Sequence, residues 1–276
     1  MRRLRPSCGR VPSLTPERRG HANPRNVNCD FAGQTAFVTG GAGGIGAEVC
    51  RLLAAGGAHC IIADVNATAG PALADELSMS GLPGEFVLCD VTKRSDISHA
   101  FGRASQVDIL VNCAGYGRES HSVTRITPEE CRELFAVNLH SAVECSRAVI
   151  PLMRDRMGGR IVNVSSIAGL RGARGQVAYS GAKAGILGLT ISLARELLPD
   201  GITVNAVVPG FIDTPLTAVM PQEIRAGWGI EQFAVGGRLG TPHDVAACIA
   251  FLASPAALCL TGAVINVDGG IRLGNP

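Results

Sequence analysis

A tyrosine and a lysine stand four residues apart, at Tyr179 and Lys183, in a stretch with a helical pattern. At this spacing two side chains lie on one face of a helix, about one turn apart. A free phenol has a pKa of about 10, which is too high for a good acid–base catalyst at neutral pH, but a nearby ammonium group favours the phenolate. The pair therefore predicts proton transfer by Tyr179 with a pKa lowered by Lys183, although a buried helix face can also hold both residues for structural reasons.

A run of glycines forms a second cluster. Residues 39–46 read TGGAGGIG, directly after a β-branched run and directly before a helical pattern. Glycines in such a turn let a pyrophosphate approach backbone N–H groups at a helix N-terminus, where the helix dipole also favours anions. Two registers fit the spacing, GxGxxG at Gly41, Gly43 and Gly46, or TGxxxGIG over residues 39–46. Either register predicts a dinucleotide-phosphate site.

Asp64 ends the next β-branched run, about 20 residues beyond the glycines. A carboxylate at this position accepts both hydroxyls of an adenosine ribose and repels a 2′-phosphate. NAD is therefore expected as the cofactor in preference to NADP. The alternative is an aspartate that only caps the following turn.

Alternating predicted strands and helices must position these residues. From residue 33 onward, nearly continuous apolar runs alternate with helical patterns, and the runs cover residues 35–39, 60–64, 85–90, 108–112, 160–165, 202–208 and 263–268. The pattern predicts an α/β doubly wound Rossmann fold, a seven-stranded parallel sheet with helices on both faces. Capping residues predict helix starts at Thr127 and Thr241, and a further helix should begin at or after Pro71.

Composition and length fit one large domain over residues 31–276, which would carry the predicted dinucleotide and proton-transfer sites. The chain has 276 residues, of which 46% are hydrophobic and 17% charged, which excludes a disordered or fibrous protein. The first 30 residues differ, with seven arginines against Glu17 and Asp30 and with four prolines. Prolines oppose a helix, so we expect a disordered leader over residues 1–30; a mitochondrial transit peptide is the alternative.

The sequence gives no sign of export or of a membrane span. It has neither 18 consecutive apolar residues nor the apolar stretch of a signal peptide, so a cytoplasmic protein without a membrane partner is expected. The domain after the leader is not basic, which argues against nucleic acid as a partner. Ten irregularly spaced cysteines without CxxC or HExxH patterns predict reduced thiols and no metal.

Taken together, these motifs resemble the short-chain dehydrogenase/reductase family of the single-domain type, over roughly residues 31 to 272. The matching segments are TGGAGGIG at 39–46, Asp64, CDV at 89–91, NCAG at 112–115, Asn138, VSS at 164–166, Tyr179 with Lys183, PG at 209–210 with Thr214, and DGG at 268–270. The resemblance favours the TGxxxGIG register. One departure is Cys113, where the family commonly has a second asparagine.

The resemblance implies a role for each matching residue. Tyr179 would be the proton donor or acceptor, and Ser166, rather than the adjacent Ser165, would hydrogen-bond the substrate oxygen. Asn138 would hold a water in a proton relay to Lys183, which would also bind the nicotinamide ribose. The cofactor would contact Gly40, Gly43, Gly44, Ile45, Gly46, Asp64, Asp90, Val91, Asn112, Gly115, Tyr179, Lys183, Pro209, Gly210, Ile212 and Thr214.

The implied function is hydride transfer between NAD(H) and a small-molecule secondary alcohol or ketone, in a homotetramer or dimer. The segments at 237–242 and 268–270 also resemble 3-oxoacyl-carrier-protein reductases, so an NADPH-dependent 3-oxoacyl-thioester reductase is an alternative. A catalytically silent dinucleotide-binding sensor or scaffold is a third reading. The substrate pocket is expected to be formed by residues 116–122 and 167–176 with Leu216, Met220, Trp228, Ile230 and Phe233.

Overall fold

One parallel sheet forms the centre of the fold. The structure is a computed structural model that describes residues 29–117, 122–156, 158–218 and 234–273. The strands run in the order β3-β2-β1-β4-β5-β6-β7 and all pair in parallel. They are β1 (Thr35–Thr39), β2 (His59–Asp64), β3 (Gly84–Leu88), β4 (Ile109–Asn112), β5 (Gly159–Val164), β6 (Ile202–Pro209) and β7 (Val264–Val267). The predicted seven-stranded Rossmann sheet is confirmed, while residues 1–28 of the predicted leader lie outside the described residues.

Helices cover both faces of this sheet. They are α1 (Gly44–Ala55), α2 (Ala69–Met79), α3 (Arg94–Gly102), α4 (Pro128–Phe135), α5 (Ser141–Arg154), α6 (Ile167–Arg171), α7 (Val177–Glu196), α8 (Pro215–Ala218) and α9 (Pro242–Ala253), with a π-helical turn at Ala136–His140. Strand residues alternate between two apolar cores. Val38 and Ile62 pack with α1, α2 and α9, whereas Phe37 and Ile61 pack with α3, α5 and α7.

One of these helices, α7, is long and apolar enough to cross a membrane by length and composition alone. In the structure it contacts β5, β6 and α4, and it carries Tyr179 and Lys183. The helix therefore packs on the sheet through one side, and a third of its apolar window is buried.

The predicted helix starts are confirmed at two of three positions. Thr127 and Thr241 each accept a hydrogen bond from the third residue of the helix and form a capping box. The prediction that the helix after β2 begins at or after Pro71 is wrong, because α2 begins at Ala69. A proline is tolerated in the first helical turn, where its missing N–H has no helical partner. Gly70 is required by packing, since a Cβ there would lie 2.1 Å from the ring of Phe86.

A buried polar chain fastens α7 to the centre of the sheet. The Asn112 side-chain amide donates to Asn163 Oδ1 at 2.8 Å, and the Asn163 amide donates to Thr190 Oγ1 on α7 at 2.9 Å. All three side chains are buried. Buried polar groups in such a chain are costly to leave without partners.

Replacing the middle member of this chain should destabilise the fold most. Asn163→Ala removes one hydrogen bond from each of its two partners and leaves a cavity, so it should lower the free energy of unfolding by about 3 kcal/mol. Thr190→Val keeps the side-chain shape and strands only the Asn163 amide, so it should lower that energy by about 1–2 kcal/mol. Denaturant unfolding of both variants measures the difference. An Asn163→Ala protein as stable as the wild type would show that the chain does not support the fold.

Candidate active site

One continuous cavity of about 2550 Å³ runs along the carboxyl ends of the strands. The cavity passes the carboxyl end of β1, whose neighbours in the sheet are β2 on one side and β4 on the other. At this switch in strand order open α/β sheets bind their ligands. The predicted site residues that line it are Gly40, Gly43, Gly44, Ile45, Gly46, Asp64, Asp90, Val91, Gly115, Ser166, Tyr179, Lys183, Pro209, Gly210, Ile212 and Thr214. Asn112 and Asn138 do not line it.

The two ends of the cavity differ in charge. We call the part lined by residues 64–66, 69 and 89–92 the acidic end, and the part lined by residues 116–117, 132–133 and 166–176 the arginine end. The acidic end follows β2 and β3, and the arginine end lies beyond β5 and before α7. The glycine turn before α1 lies between them.

The geometry of the glycine turn selects the TGxxxGIG register. Gly40 has a φ of +64°, and a Cβ there would lie 2.8 Å from Ala114 Cα. A Cβ at Gly46 would lie 2.1 Å from the Gly40 carbonyl oxygen. At Gly43 the nearest atom would be 3.5 Å away, so this position has room for a side chain. The turn therefore needs glycine at positions 40 and 46, which belong to the TGxxxGIG pattern, and does not need it at position 43.

Thr39, the first residue of this motif, joins the turn after β1 to the turn after β4. Its hydroxyl oxygen accepts from the backbone N–H groups of Cys113 and Ala114 at 3.1 and 3.2 Å. In the sequence, Thr39 stands out only as a part of the motif. Its role depends on the adjacency of β1 and β4, and the threonine that opens the pattern was the available signal.

Asp64 caps a turn, one of the two roles that the sequence left open, and it also lies in the cavity, where the ribose contact stays a prediction. Its Oδ2 accepts from Ala42 N–H at 3.0 Å and its Oδ1 from Asn66 N–H at 2.9 Å, so the carboxylate does cap the turn after β2. It also lines the acidic end together with Asp90. Hydrogen bonds from Thr92 lower the pKa of Asp90, and the ion pair with Lys93 adds to this effect. Among the described residues that line the acidic end, none is basic.

The candidate catalytic residues meet where α7 docks on the end of β5. The Lys183 ammonium donates to the Val164 carbonyl oxygen at 3.0 Å, and its Nζ lies 5.8 Å from the centroid of the Tyr179 ring. The buried Ser165 hydroxyl donates to the Lys183 carbonyl oxygen at 2.7 Å. This bond occupies Ser165 in the helix contact, which leaves Ser166 as the serine available to a substrate oxygen.

The expectation that Lys183 lowers the pKa of Tyr179 is wrong for this structure. Burial raises the pKa of Tyr179, and hydrogen bonding with Ser166 only opposes this effect. Burial likewise lowers the pKa of Lys183, to about 8. Removal from water disfavours the charged form of each group, and the Lys183 ammonium is directed at Val164 rather than at the phenol oxygen.

Asn138 lies in the π-helical turn, and its side chain makes three hydrogen bonds with two residues. Its side-chain amide donates to the carbonyl oxygens of Tyr116 and Leu134, and its Oδ1 accepts from Tyr116 N–H. A Cβ on Gly115 would lie 2.7 Å from Asn138 Oδ1 and 3.0 Å from Lys183 Nζ. Asn138 and Lys183 thus flank Gly115 beneath the cavity, and the proton relay through Asn138 stays a prediction.

Asn112 is a predicted cofactor residue whose side chain lies in the sheet, away from the cavity. Its side chain is buried and donates to Asn163 in the sheet, so the expectation that it lines the cofactor channel is wrong. The strand direction explains this: Asn112 is the last residue of β4, and its side chain points into the core rather than out of the carboxyl edge. Cys113, the next residue, lines the cavity, and burial raises the pKa of its thiol to about 11.

The predicted substrate wall is described in part. Tyr116, Gly117 and most of residues 167–176 line the cavity. Residues 118–121, together with Met220, Trp228, Ile230 and Phe233, lie outside the described residues, as does the side chain of Leu216.

The cavity suits a dinucleotide. The turn at Gly40 and Gly46 brings backbone to the N-terminus of the 12-residue helix α1 at the cavity, where a pyrophosphate is favoured. Asp64 offers carboxylate oxygens at the acidic end, and Tyr179 and Lys183 lie beyond the turn in the other direction.

Comparison with known proteins gives the same picture. The family model described as Enoyl-(Acyl carrier protein) reductase matches residues 40–272. The 3-oxoacyl-[acyl-carrier-protein] reductases of Escherichia coli and Vibrio cholerae are 38% and 39% identical over 248 residues, which is 88% of this chain and 99% of each relative.

Two solved structures share the fold throughout. The protein gox2181 has a TM-score of 0.85 and 33% identity, and the match covers 90% of this chain and 99% of that one. A protein from Beutenbergia cavernae, provisionally assigned as an NAD(P)-dependent gluconate 5-dehydrogenase with NADP bound at low occupancy, has a TM-score of 0.85 and 32% identity over 90% of this chain and all of its own. The chain belongs to the short-chain dehydrogenase/reductase family, whose members are oxidoreductases that bind a nicotinamide dinucleotide.

Proposed function

We propose that this protein uses NAD(H) to interconvert a ketone and a secondary alcohol. The observation that carries the choice of cofactor is the acidic end, where Asp64 and Asp90 are the charged residues among the described lining residues. A carboxylate there accepts ribose hydroxyls and repels the 2′-phosphate that distinguishes NADPH from NADH. Gly43, the open position of the turn, adds no base that would offset this repulsion.

Tyr179 and Ser166 act on the substrate oxygen in this proposal. In reduction the Tyr179 hydroxyl gives its proton to the carbonyl oxygen as negative charge develops there, and oxidation runs the same proton transfer in reverse. The Ser166 hydroxyl donates a hydrogen bond to the same oxygen, a kind of stabilisation worth about 3–4 kcal/mol per donor in other enzymes. When bound, the nicotinamide ring supplies the hydride exchange.

In this proposal Lys183 exchanges protons beside Tyr179. With a pKa of about 8, its side chain exchanges a proton near neutral pH. Its hydrogen bond to the Val164 carbonyl oxygen fixes Nζ at the end of β5, beside the Tyr179 ring. A group that titrates in this range and is held in place suits the return of a proton towards the catalytic phenol after each turnover.

The names of the relatives favour a particular substrate class. The Escherichia coli and Vibrio cholerae relatives are named 3-oxoacyl-[acyl-carrier-protein] reductases. A 3-oxoacyl thioester carries a ketone on which the proton transfer described for Tyr179 and Ser166 can act. We therefore propose 3-oxoacyl thioesters, and 3-hydroxyacyl thioesters for the reverse reaction, as the first substrates to assay.

An NADPH-dependent 3-oxoacyl-thioester reductase is the second candidate. The names of the relatives and the structural neighbour with NADP support it. It requires a 2′-phosphate to be accommodated beside the Asp64 carboxylate, and this requirement makes the two candidates separable by measurement.

Removing one hydroxyl should abolish the chemistry. Tyr179→Phe is expected to lower turnover of a 3-oxoacyl thioester by about 10³-fold, because the proton donor is lost while the ring remains. The dissociation constant of NADH should stay within about two-fold of the wild type. Tyr116→Phe is the matched control, since Tyr116 also lines the cavity and its hydroxyl is 3.4 Å from Glu133. Substantial turnover by Tyr179→Phe would exclude Tyr179 as the acid–base group.

The buried lysine should give stability a distinct pH dependence. Burial lowers the pKa of Lys183 from 10.5 to about 8, so between these values the unfolded chain binds more protons at this residue than the folded chain. The contribution of Lys183 to the free energy of unfolding therefore rises with pH across that window. Denaturant unfolding at about pH 8 and pH 10 should show the wild type gaining stability relative to Lys183→Met. The same pH dependence in both proteins would contradict this assignment.

Neutralising Asp64 should alter the cofactor preference. Wild-type protein is expected to bind NADH more tightly than NADPH, and Asp64→Asn should narrow the ratio of the two dissociation constants about ten-fold by removing the repulsion. Asp75→Asn is the control, because it removes the same charge from an exposed residue of α2 that does not line the cavity. Tighter binding of NADPH by the wild type would instead support the second candidate.

A further inference from the structure

Two arginines line the cavity close to the candidate catalytic residues. Arg171 is the last residue of α6, which begins directly after Ser166, and Arg174 lies in the loop between α6 and α7. At about 1.5 Å per residue, the five residues of α6 span on the order of 7 Å. An extended arginine side chain covers a similar length, so Arg171 is within reach of a substrate whose oxygen is at Ser166.

The loop that carries Arg174 is attached to both flanking helices through the two residues that precede Arg174. Ala173 N–H donates to the Ser180 hydroxyl oxygen at 3.2 Å, which attaches the loop to α7 one residue after Tyr179. Gly172 N–H donates to the Ala168 carbonyl oxygen at 2.9 Å, which attaches it to α6. The position of Arg174 is therefore set by the same two helices that carry Ser166 and Tyr179.

Neither arginine has an acidic partner in the part of the chain that the structure describes. Arg171 donates one hydrogen bond, to the Ile271 carbonyl oxygen at 3.2 Å, and Arg174 makes no ion pair or hydrogen bond within the described ranges. Many other surface arginines pair with a carboxylate: Arg51 with Glu76, Arg103 with Glu85, Arg154 with Asp200, and Arg156 with Asp108.

The remaining charged residues of the arginine end do not neutralise this pair. Arg132 also lines the cavity and is paired with Glu129. Glu133, the acidic lining residue of this end, receives a hydrogen bond from the Tyr116 hydroxyl. Among the lining residues that the structure describes, the arginine end therefore carries an excess of positive charge, the reverse of the acidic end.

We propose that Arg171 and Arg174 form a subsite for an anionic group, a phosphate or a carboxylate, that the substrate carries away from its reacting carbonyl. The inference rests on the proposed function, because it describes the substrate of that site. Guanidinium groups match the oxygen geometry of both anions and lose less hydration than an ammonium would. The phosphates of the cofactor have their own site at the glycine turn, so these arginines are available to the substrate.

Matched pairs of ketones test the subsite by binding. One pair is a 3-oxoacyl-coenzyme A thioester and the same acyl group on N-acetylcysteamine, which lacks phosphate; the other is a keto acid and its methyl ester. Dissociation constants are measured by calorimetry on the full chain with NAD⁺ present, for the wild type, Arg171→Gln and Arg174→Gln. Arg195→Gln is the control, since Arg195 is exposed on α7 and does not line the cavity.

The expected result is a selective loss. Each cavity variant should weaken binding of an anionic ketone about ten-fold and leave its neutral counterpart unchanged. Added salt should weaken the anionic ligand alone. A preference for the coenzyme A thioester identifies a phosphate as the anion, and a preference for the keto acid identifies a carboxylate. Equal affinities for charged and neutral ligands in both pairs would overturn the proposal.

Two further readouts keep this inference separate from the proposed function. A loss of NADH affinity in Arg171→Gln or Arg174→Gln, or an equal loss of anion binding in Arg195→Gln, would also overturn the subsite. Turnover is followed on the same proteins. Preferential anion binding without ketone reduction would sustain the subsite and reject the proposed function, whereas reduction without any preference for anions would do the opposite.

Discussion

The docking of α7 on the end of β5 is the constraint on which the active site depends. Two hydrogen bonds make this contact, one from Ser165 to the backbone of Lys183 and one from the Lys183 ammonium to Val164. Burial of Lys183 in this contact lowers its pKa, and the two hydrogen bonds hold the N-terminal part of α7, where Tyr179 lies. A Cβ at Gly169 would lie 2.7 Å from the Lys183 backbone, so α6 approaches closely enough to present Ser166 to the same space.

The cavity arranges charge along its length. Carboxylates lie beyond β2 and β3, the N-terminus of α1 lies in the middle, and arginines lie beyond β5. Each region favours a different chemical group: sugar hydroxyls, a pyrophosphate, and an anion on the substrate. This order follows the strand order of the sheet, because each loop leaves the carboxyl end of a successive strand. In the proposed function, the fold thereby separates the recognition of the cofactor from that of the substrate.

The sequence predicted the sheet, and most of the predicted site residues line the cavity, because strands and glycine turns follow from local patterns. Apolar runs mark strands, and a strand, a glycine turn and a helix in succession mark a phosphate site whatever the rest of the chain does. The errors lie where tertiary contacts decide. The side-chain direction of Asn112 depends on the partner Asn163, and the pKa of Tyr179 depends on burial, which spacing along a helix does not report. The leader, the proton relay and the expected homo-oligomer stay predictions.

The acidic end and the arginine end differ in how many hydrogen bonds their charged side chains make with the backbone of the fold. Asp64 accepts backbone hydrogen bonds from Ala42 and Asn66, so the charge that we propose selects the cofactor also holds the glycine turn against the end of β2. A change at Asp64 therefore perturbs the turn as well as the preference. In the described structure the Arg171 side chain donates one hydrogen bond, to the Ile271 carbonyl oxygen, and the Arg174 side chain makes none. Both arginines are exposed. Substrate selectivity at the arginine end can consequently vary with little effect on stability, whereas the cofactor end is constrained by the fold.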